Sequence, residues 1–581
     1  MSEVAEGFVR VGSVEDAKAE SPTVVTIDGR AIGLFHHEDA FYATDLRCPH
    51  MGFPLTDGTV EDGILTCPWH HARFELSCGD TLDPFADDVP TYPVEVRNGS
   101  VYVSPEPVQT HDDETHWRER LEHGLREDIS LIIAKSVIGL DDAAVEATVP
   151  LEIGVRFGTM YREAGWGSGL TTLGVMANLL EHLRPDDRRR ALFVGLSEVA
   201  DDSAGQAPFF SQESLSNTDV SPDRLKRWFR RSIDVRDDDG GERIIRAAIQ
   251  AGLDEDAITG ILVAAGTDHL YLDAGHRIDF INKALEMLDH IGWDHAEQVL
   301  PSLVPGLAGA DRAEERSAWR QPIDLASMCF DAAEQLDSLV EAGEGRQWTE
   351  PDGFYDVILG DDPGAIIDAL TDAIADGATA SQLAGILTDA GAQRVAQFGT
   401  ANEFNDWNTV HHTYTYLNAV DSLTQRTSAV EAYRGLFDGA MAIYLDRFLN
   451  TPPQRLPEPE GDRRPDDILE ELLETFEVES DEEVNRSGRL VAEYLAADGS
   501  VAALMNELGT VLLREDVGFH TRQNLEAAFT QYLRTTPDER ADIHLIATTR
   551  YLAAHTPTRR SGEQTFTIAE RLSRGERIHE T

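Results

Sequence analysis

The chain has 581 residues, 41% of them hydrophobic, which is too long for one compact core and apolar enough to fill several. It carries 105 Asp and Glu against 49 Lys and Arg, a formal net charge of −56, and its only lysines are Lys18, Lys135, Lys226 and Lys283. So broad an acidic surplus excludes nucleic acid as an expected partner, because phosphate contacts need a basic patch. It is the composition of a halophilic protein in a salty cytoplasm, where counter-ions screen the self-repulsion, with an ordinary acidic protein as the plainer alternative.

The first 30 residues hold Glu3, Glu6, Glu15 and Asp16 instead of a basic start and an apolar stretch, so no signal peptide is expected. No run of about 18 apolar residues follows, so neither is a membrane span, and the expected location is cytoplasmic. Residues 1–104 read as short strands, such as Thr23–Ile27, Tyr92–Val96 and Val101–Val103, divided by the turn pairs Asp28-Gly29 and Asn98-Gly99. Residues 105–116, rich in proline and polar groups, read as a linker. From Trp117 to 449 helical periodicity takes over. Residues 450–483 read as a proline-rich and acidic linker, 484–560 as a further helical repeat and 561–581 as a frayed tail. The expected fold class is multidomain: an all-β N-terminal domain, then a large all-α domain of divergent helical repeats.

Within the β part stand Cys48-Pro49-His50 and, sixteen residues later, Cys67-Pro68-Trp69-His70. One Cys and one His from each of two loops suit a Rieske-type [2Fe-2S] centre, with thiolates on one iron and imidazoles on the other. A structural Cys2His2 zinc site is the alternative. The prolines stiffen both loops, and Gly52 lets backbone approach closely. The other cysteines, Cys78 and Cys329, lie far apart and imply no disulfide framework.

The helical part repeats itself. AIQAGLDEDAITGILVAAG at Ala248 matches AIADGATASQLAGILTDAG at Ala373, and a third copy begins at Tyr494. Downstream come His276 with Asn282, His412 with Asn418, and His520 with Glu526; a fainter first copy puts Thr172 and Asn178 there. Stacked or ring-closed repeats set such positions side by side. His276, His412 and His520 are therefore the candidate catalytic residues, expected to line one cavity. With Asp279, Asp406 or Glu526 beside two of them they suit mononuclear iron; otherwise they bound an organic-substrate pocket or simply pack helices. His269, seven residues before His276, shares its face only if the helix survives Gly275. His36 and His37 are expected to be exposed on a hairpin.

The stretch from CPHMGFPLTDG through CPWHHARFELSCGD to VEVRNGSVYV resembles the Rieske ferredoxin family across about 60 residues. Phe53 and Trp69 stand where respiratory-complex Rieske proteins have a disulfide, so the resemblance is to soluble ferredoxins and to the Rieske domains of oxygenases or of the nitrite reductase small subunit. His71 stands where the family usually has Gly. The catalytic domain of ring-hydroxylating oxygenases is a mixed sheet with a His-x4-His pair; His290 and His295 stand at that spacing, but the helical periodicity around them has no counterpart to the mixed sheet. GHRIDFINKAL at Gly275 and VHHTYTYLNAVDSL at Val410 resemble the questin oxidase-like family. That resemblance implies an NADPH-dependent, Baeyer–Villiger-type monooxygenase of aromatic polyketides, with His276, His412 and more weakly His411 carried over. No dinucleotide-binding glycine fingerprint accompanies it. Two functions are expected of the whole. One is an iron–sulfur oxidoreductase that feeds electrons to a helical domain oxidising a small-molecule substrate. The other is an electron carrier or redox-responsive binding protein whose helices dock a redox partner protein.

Overall fold

The computed structural model describes residues 7–108, 113–216, 220–459, 463–535 and 539–576. These fall into two compact units. One runs to Ile153 and takes in the segment from Gly562 on; the other is Gly154–Ser561. Residues 109–112 of the expected linker, 460–462 of the proline-rich stretch and 577–581 of the expected tail lie outside the described residues.

The first unit begins with ten strands: β1 (Val9–Ser13), β2 (Thr23–Ile27), β3 (Arg30–His37), β4 (Ala40–Asp45), β5 (Thr59–Glu61), β6 (Ile64–Thr66), β7 (Arg73–Glu75), β8 (Thr91–Tyr92), β9 (Val94–Arg97) and β10 (Ser100–Val103). They form three small antiparallel sheets, β1-β10-β9, β2-β3-β4-β8 and β5-β6-β7. Asp28-Gly29, Asp62-Gly63 and Asn98-Gly99 all take positive φ and turn the β2–β3, β5–β6 and β9–β10 hairpins, the primed geometry that follows strand twist. One core gathers Ile27, Ile32, Leu34, Val101 and Val103; a second gathers Phe35, Leu55, Leu65, Phe74 and Val89 around Cys48 and Cys67.

Helix replaces the expected linker from Asp113. α1 (Asp113–Glu127) and α2 (Ser130–Asp142) form a hairpin, because Leu121, Leu125, Ile133 and Val137 give each an apolar face to bury. The expected frayed tail likewise contains a helix, Ser561–Ser573, with Phe566 and Ala569 buried. Its Arg/Glu-rich composition hides two apolar positions three residues apart, enough for one helical face.

In the second unit, four helices matter for function: α3 (Ser168–Leu179), α4 (His276–Ile291), α5 (Phe404–Arg426) and α6 (Phe519–Arg534). α3 packs on α4, α4 on α5, α5 on α6, and α6 back on α3, so the four close a ring. Each carries one of the positions singled out by the sequence. The acidic stretch read as part of a linker is amphipathic: Ile468 and Leu472 of Pro465–Glu474 enter the same core as Val175, Val395, Leu508 and Tyr551. Residues 484–560 share that core, so they complete the helical unit instead of standing apart.

Candidate redox centres

The first site is built by two loops with the same backbone pattern. Cys48 N–H donates to Phe53 O at 2.8 Å and Gly52 N–H returns to Cys48 O at 2.7 Å; Cys67 N–H donates to Ala72 O at 2.8 Å and His71 N–H returns to Cys67 O at 3.1 Å. The fourth residue after each cysteine must take positive φ. Gly52 does so at 76°, and His71 at 63° is the non-glycine that does the same. The loops bring the thiols of Cys48 and Cys67 into hydrogen-bond contact, and their sulfurs accept backbone N–H groups of His50 and Met51, and of Trp69 and His70. The bond from Cys48, with those amides, lowers the Cys67 thiol to about 6; the same bond and burial push Cys48 up. The rings of His50 and His70 lie 4.9 Å apart. Burial, with His70 and Lys135, lowers His50 to about 4, so its ring is neutral, and its buried Nδ1 has no hydrogen-bond partner among the described residues. Two adjacent thiols in a net of N–H donors, beside two imidazoles with one orphaned nitrogen, fit a mixed-ligand iron–sulfur cluster. His70 is exposed while both cysteines are buried, so electrons have an edge to cross.

A small antiparallel β domain with paired Cys/His loops defines a Rieske-type electron carrier. Residues 7–93 match the model of the Rieske [2Fe-2S] domain family. The ferredoxin component of the naphthalene 1,2-dioxygenase/salicylate 5-hydroxylase systems of Ralstonia sp. is 30% identical over 104 residues, 18% of this chain and all of that protein. The 3-phenylpropionate/cinnamic acid dioxygenase ferredoxin subunit of Photorhabdus laumondii is 40% identical over 75 residues, 13% of this chain and 71% of its own. Among solved structures, the ferredoxin of carbazole 1,9a-dioxygenase from Nocardioides aromaticivorans is 27% identical, covering 17% of this chain and all of that one with a TM-score of 0.17. The chain belongs to the Rieske [2Fe-2S] family: its N-terminal domain binds a [2Fe-2S] cluster and transfers electrons. No described helix is long and apolar enough to cross a membrane.

The second site lies in the helical unit. His276 opens α4, His412 sits within α5, and His520 is the second residue of α6. One ring nitrogen from each lies within 4.8 Å of the other two, and Nε2 of His412 and Nε2 of His520 are 3.0 Å apart. The His276 ring is 4.5 Å from that of His412 and 5.5 Å from that of His520. A strained approach sets His276 in place: Tyr271, Asp273, Ala274 and Gly275 have φ of 43°, 48°, 56° and 96°. Hydrogen bonds pin this run, Tyr271 N–H to Asp438 at 3.0 Å and Asp273 to Asp311 N–H at 2.7 Å. Such strain persists where the surroundings over-determine the backbone. Burial, with the neighbouring rings, holds His276 well below its ordinary value; burial takes His412 to about 4 and, with His412 and His555, His520 to about 3. All three imidazoles are therefore neutral at neutral pH, the form that binds a metal.

The carboxylates expected beside the triad are employed elsewhere. Asp406 bonds the N–H of Glu403 at the start of α5. Glu526 accepts Lys283 at 2.7 Å. Asp279 takes the amide of Gln523, and burial pushes it up to about 7 against the pull of Lys283. The group able to hold a metal among the described residues of the helical unit is thus three histidines without a carboxylate. The paired positions six residues on brace the ring: Asn178 donates to Glu286 at 2.7 Å and Glu526 at 2.8 Å, Asn282 to Glu286 at 2.7 Å, and Asn418 accepts Gln531 at 2.9 Å. Lys283, fully buried, reaches Glu286 and Glu526; burial opposes its charge, and those carboxylates keep it protonated.

His412 also lines a cavity of about 530 Å³ whose walls include Tyr271, Trp319, Ile323, Tyr444 and Phe448. That volume suits a small organic ligand. Asp446 is its buried polar wall: burial pushes it up to about 8 despite a Thr413 hydrogen bond and nearby Arg394, and its Oδ2 has no hydrogen-bond partner among the described residues.

The three histidines expected to line one cavity converge on one another, and of them His412 alone lines the cavity. The fourth equivalent, Thr172, is buried on α3. His411 stands beside His520, ring to ring at 5.1 Å. His269 is turned away by the break before His276 and pairs with Glu314 at 2.8 Å. His36 and His37 lie half-buried on β3 instead of exposed, and His37 Nε2 accepts Gly63 N–H at 3.0 Å. Sequence reasoning missed Asp446 and Tyr271. Asp446 lies near the triad only through the fold, and Tyr271, five residues before His276, carried no sequence signal beyond an aromatic residue ahead of Asp-Ala-Gly.

Proposed function

We propose that the chain is an oxidoreductase whose cluster, held by Cys48, His50, Cys67 and His70, supplies single electrons to a metal bound by His276, His412 and His520, where an apolar organic substrate is oxidised. The observation that carries this reading is the meeting of three neutral imidazoles at the wall of an apolar cavity. Imidazole suits iron, copper, nickel and zinc, but zinc has no redox chemistry for a one-electron donor to serve, so a redox-active metal such as iron fits the site. His412 faces both metal and cavity. The apolar walls exclude water and hold the substrate's carbon skeleton. Uncharged Asp446 and Thr413 offer hydrogen bonds to a polar group on it.

The named relatives are ferredoxin components of dioxygenase systems, and here the helical unit takes the place of a separate oxygenase. A redox partner protein refills the cluster at the exposed His70 edge, in a salty cytoplasm that screens the acidic surface. NADPH enters only as the ultimate reductant of that partner.

Metal and sulfide analysis of the anaerobically purified full chain tests this. Two irons and two sulfides with one further redox metal per chain are expected. Two irons and two sulfides alone, unchanged after incubation with ferrous iron, would leave a carrier whose helices are a docking scaffold. Stoichiometric zinc without sulfide would end the cluster assignment.

A further inference from the structure

The hairpin α1–α2 lies outside the residues matched by the Rieske family model, yet it touches the cluster loop. Lys135 of α2 donates from Nζ to Pro49 O at 2.7 Å, the carbonyl between Cys48 and His50. The same ammonium pairs with Asp87, whose other oxygen takes Arg120 Nε of α1 at 2.8 Å; Arg120 also donates to Ala86 O at 2.9 Å. The three side chains are 9%, 7% and 12% exposed. Two cations share one carboxylate, so the trio keeps one net positive charge in a dry place, with its ammonium turned to the ligand loop.

The other charges around the recess are of a different kind. Asp88, Asp113, Asp142 and Glu576 are exposed and act through water; Asp45 is half-buried and accepts the N–H of Arg47 at 3.0 Å, and the half-buried Arg47 guanidinium turns to the Gly575 carbonyl. A fixed charge in low dielectric acts on a buried cluster far more strongly than solvated ones do.

We infer that Lys135, with Arg120 and Asp87 behind it, is a positioning residue that sets the reduction potential of the iron–sulfur cluster: it fixes the Cys48–His50 loop and holds a net positive charge beside it. Reduction adds one negative charge to the cluster, and a neighbouring cation stabilises that state, so the midpoint rises. The hairpin thereby makes the fused domain a weaker reductant than the same loops alone. This goes beyond the ligand assignment and rests on it.

The test is a redox titration of the full-length protein, followed by the electron paramagnetic resonance signal of the reduced cluster. Lys135→Met is expected to keep the signal and move the midpoint to lower potential. Lys135→Arg, which restores the charge, should return it toward wild type. Arg120→Gln should move it the same way by less, and it remains decisive if Lys135→Met fails to assemble a cluster. Because the charge is buried, the Lys135→Met shift should persist from tens of millimolar to molar potassium chloride. Wild-type midpoints in both Lys135→Met and Arg120→Gln would overturn the inference. Absence of the signal from wild-type protein would sink the ligand assignment instead.

Discussion

The cluster loops and the histidine triad gather ligands in opposite ways. The loops draw four from two turns joined by the β5–β6 hairpin, and surround sulfur with backbone N–H groups while leaving His70 at the surface. The triad draws single residues from three long helices, with His412 and His520 108 positions apart, and closes them into the interior of a ring. A carrier needs amide donors and an exposed edge, which short loops supply. A centre that excludes water needs walls, which helices supply. Both are backed by a buried lysine, Lys135 sharing Asp87 with Arg120 at the loops and Lys283 on α4 between Glu286 and Glu526, in a chain that has four lysines in all.

If the two centres are independent, each should be removable alone. Cys67→Ser or His50→Ala should abolish the iron–sulfur signal and leave the further metal in place. His412→Ala should remove that metal and spare the cluster. Metal content and electron paramagnetic resonance on the same samples check both. Joint loss from either variant would show that the centres form a single assembly.

Replacing Lys283 with Met should rank next. It leaves Glu286 and Glu526 facing each other in a dry interior, and breaking a buried pair costs about 3–5 kcal/mol. Chemical denaturation read at the helical signal checks it; Rieske absorbance should survive to the same denaturant concentration as in wild type.

The pH responses should also separate the units. Asp279 and Asp438 are raised by burial to about 7, and Asp446 to about 8, all in the helical unit. A raised carboxyl binds its proton in the native state and not in the unfolded one, so stability is full below about pH 4 and lost as pH rises through 7 to 8. Helical stability should fall across that window. Asp446→Asn should remove about 1.4 kcal/mol per pH unit of that slope. Equal slopes in both proteins would mean that Asp446 is ionised in the native state.

The smallest effect concerns the loops. His71→Gly relieves a left-handed residue and should raise stability by about 1 kcal/mol, and Gly52→Ala should lower it by a similar amount. Differential scanning calorimetry of the holo-protein checks the pair; opposite signs at the two equivalent positions are the expected signature.

The legibility of the two sites follows from the same contrast. Cys48, His50, Cys67 and His70 stand in a local motif whose spacing carries the geometry, and the turn pairs around them predict the hairpins directly. The triad was legible only through internal repetition, which marked His276, His412 and His520 as equivalent but said nothing of what the ring encloses. Asp446 reaches the cavity by tertiary packing alone, and Tyr271 through the left-handed run that leads into His276. Asp279, Asp406 and Glu526 looked like ligands by nearness in sequence, and hydrogen bonds to Gln523, Glu403 and Lys283 claim them. The segment after Ser561 read as a tail because charge outnumbers its two buried apolar residues.

The closure of α3 against α6 has a consequence for how the protein is made. The ring cannot shut until a ribosome has synthesised the chain past residue 500, since α6 runs Phe519–Arg534. If the triad holds a metal as proposed, until then His276 and His412 would be two open ligands that bind it weakly and release it. The last of the four ring helices to emerge would therefore act as the latch of such a centre, and a metal captured too early, or the wrong one, would have the length of that synthesis in which to leave.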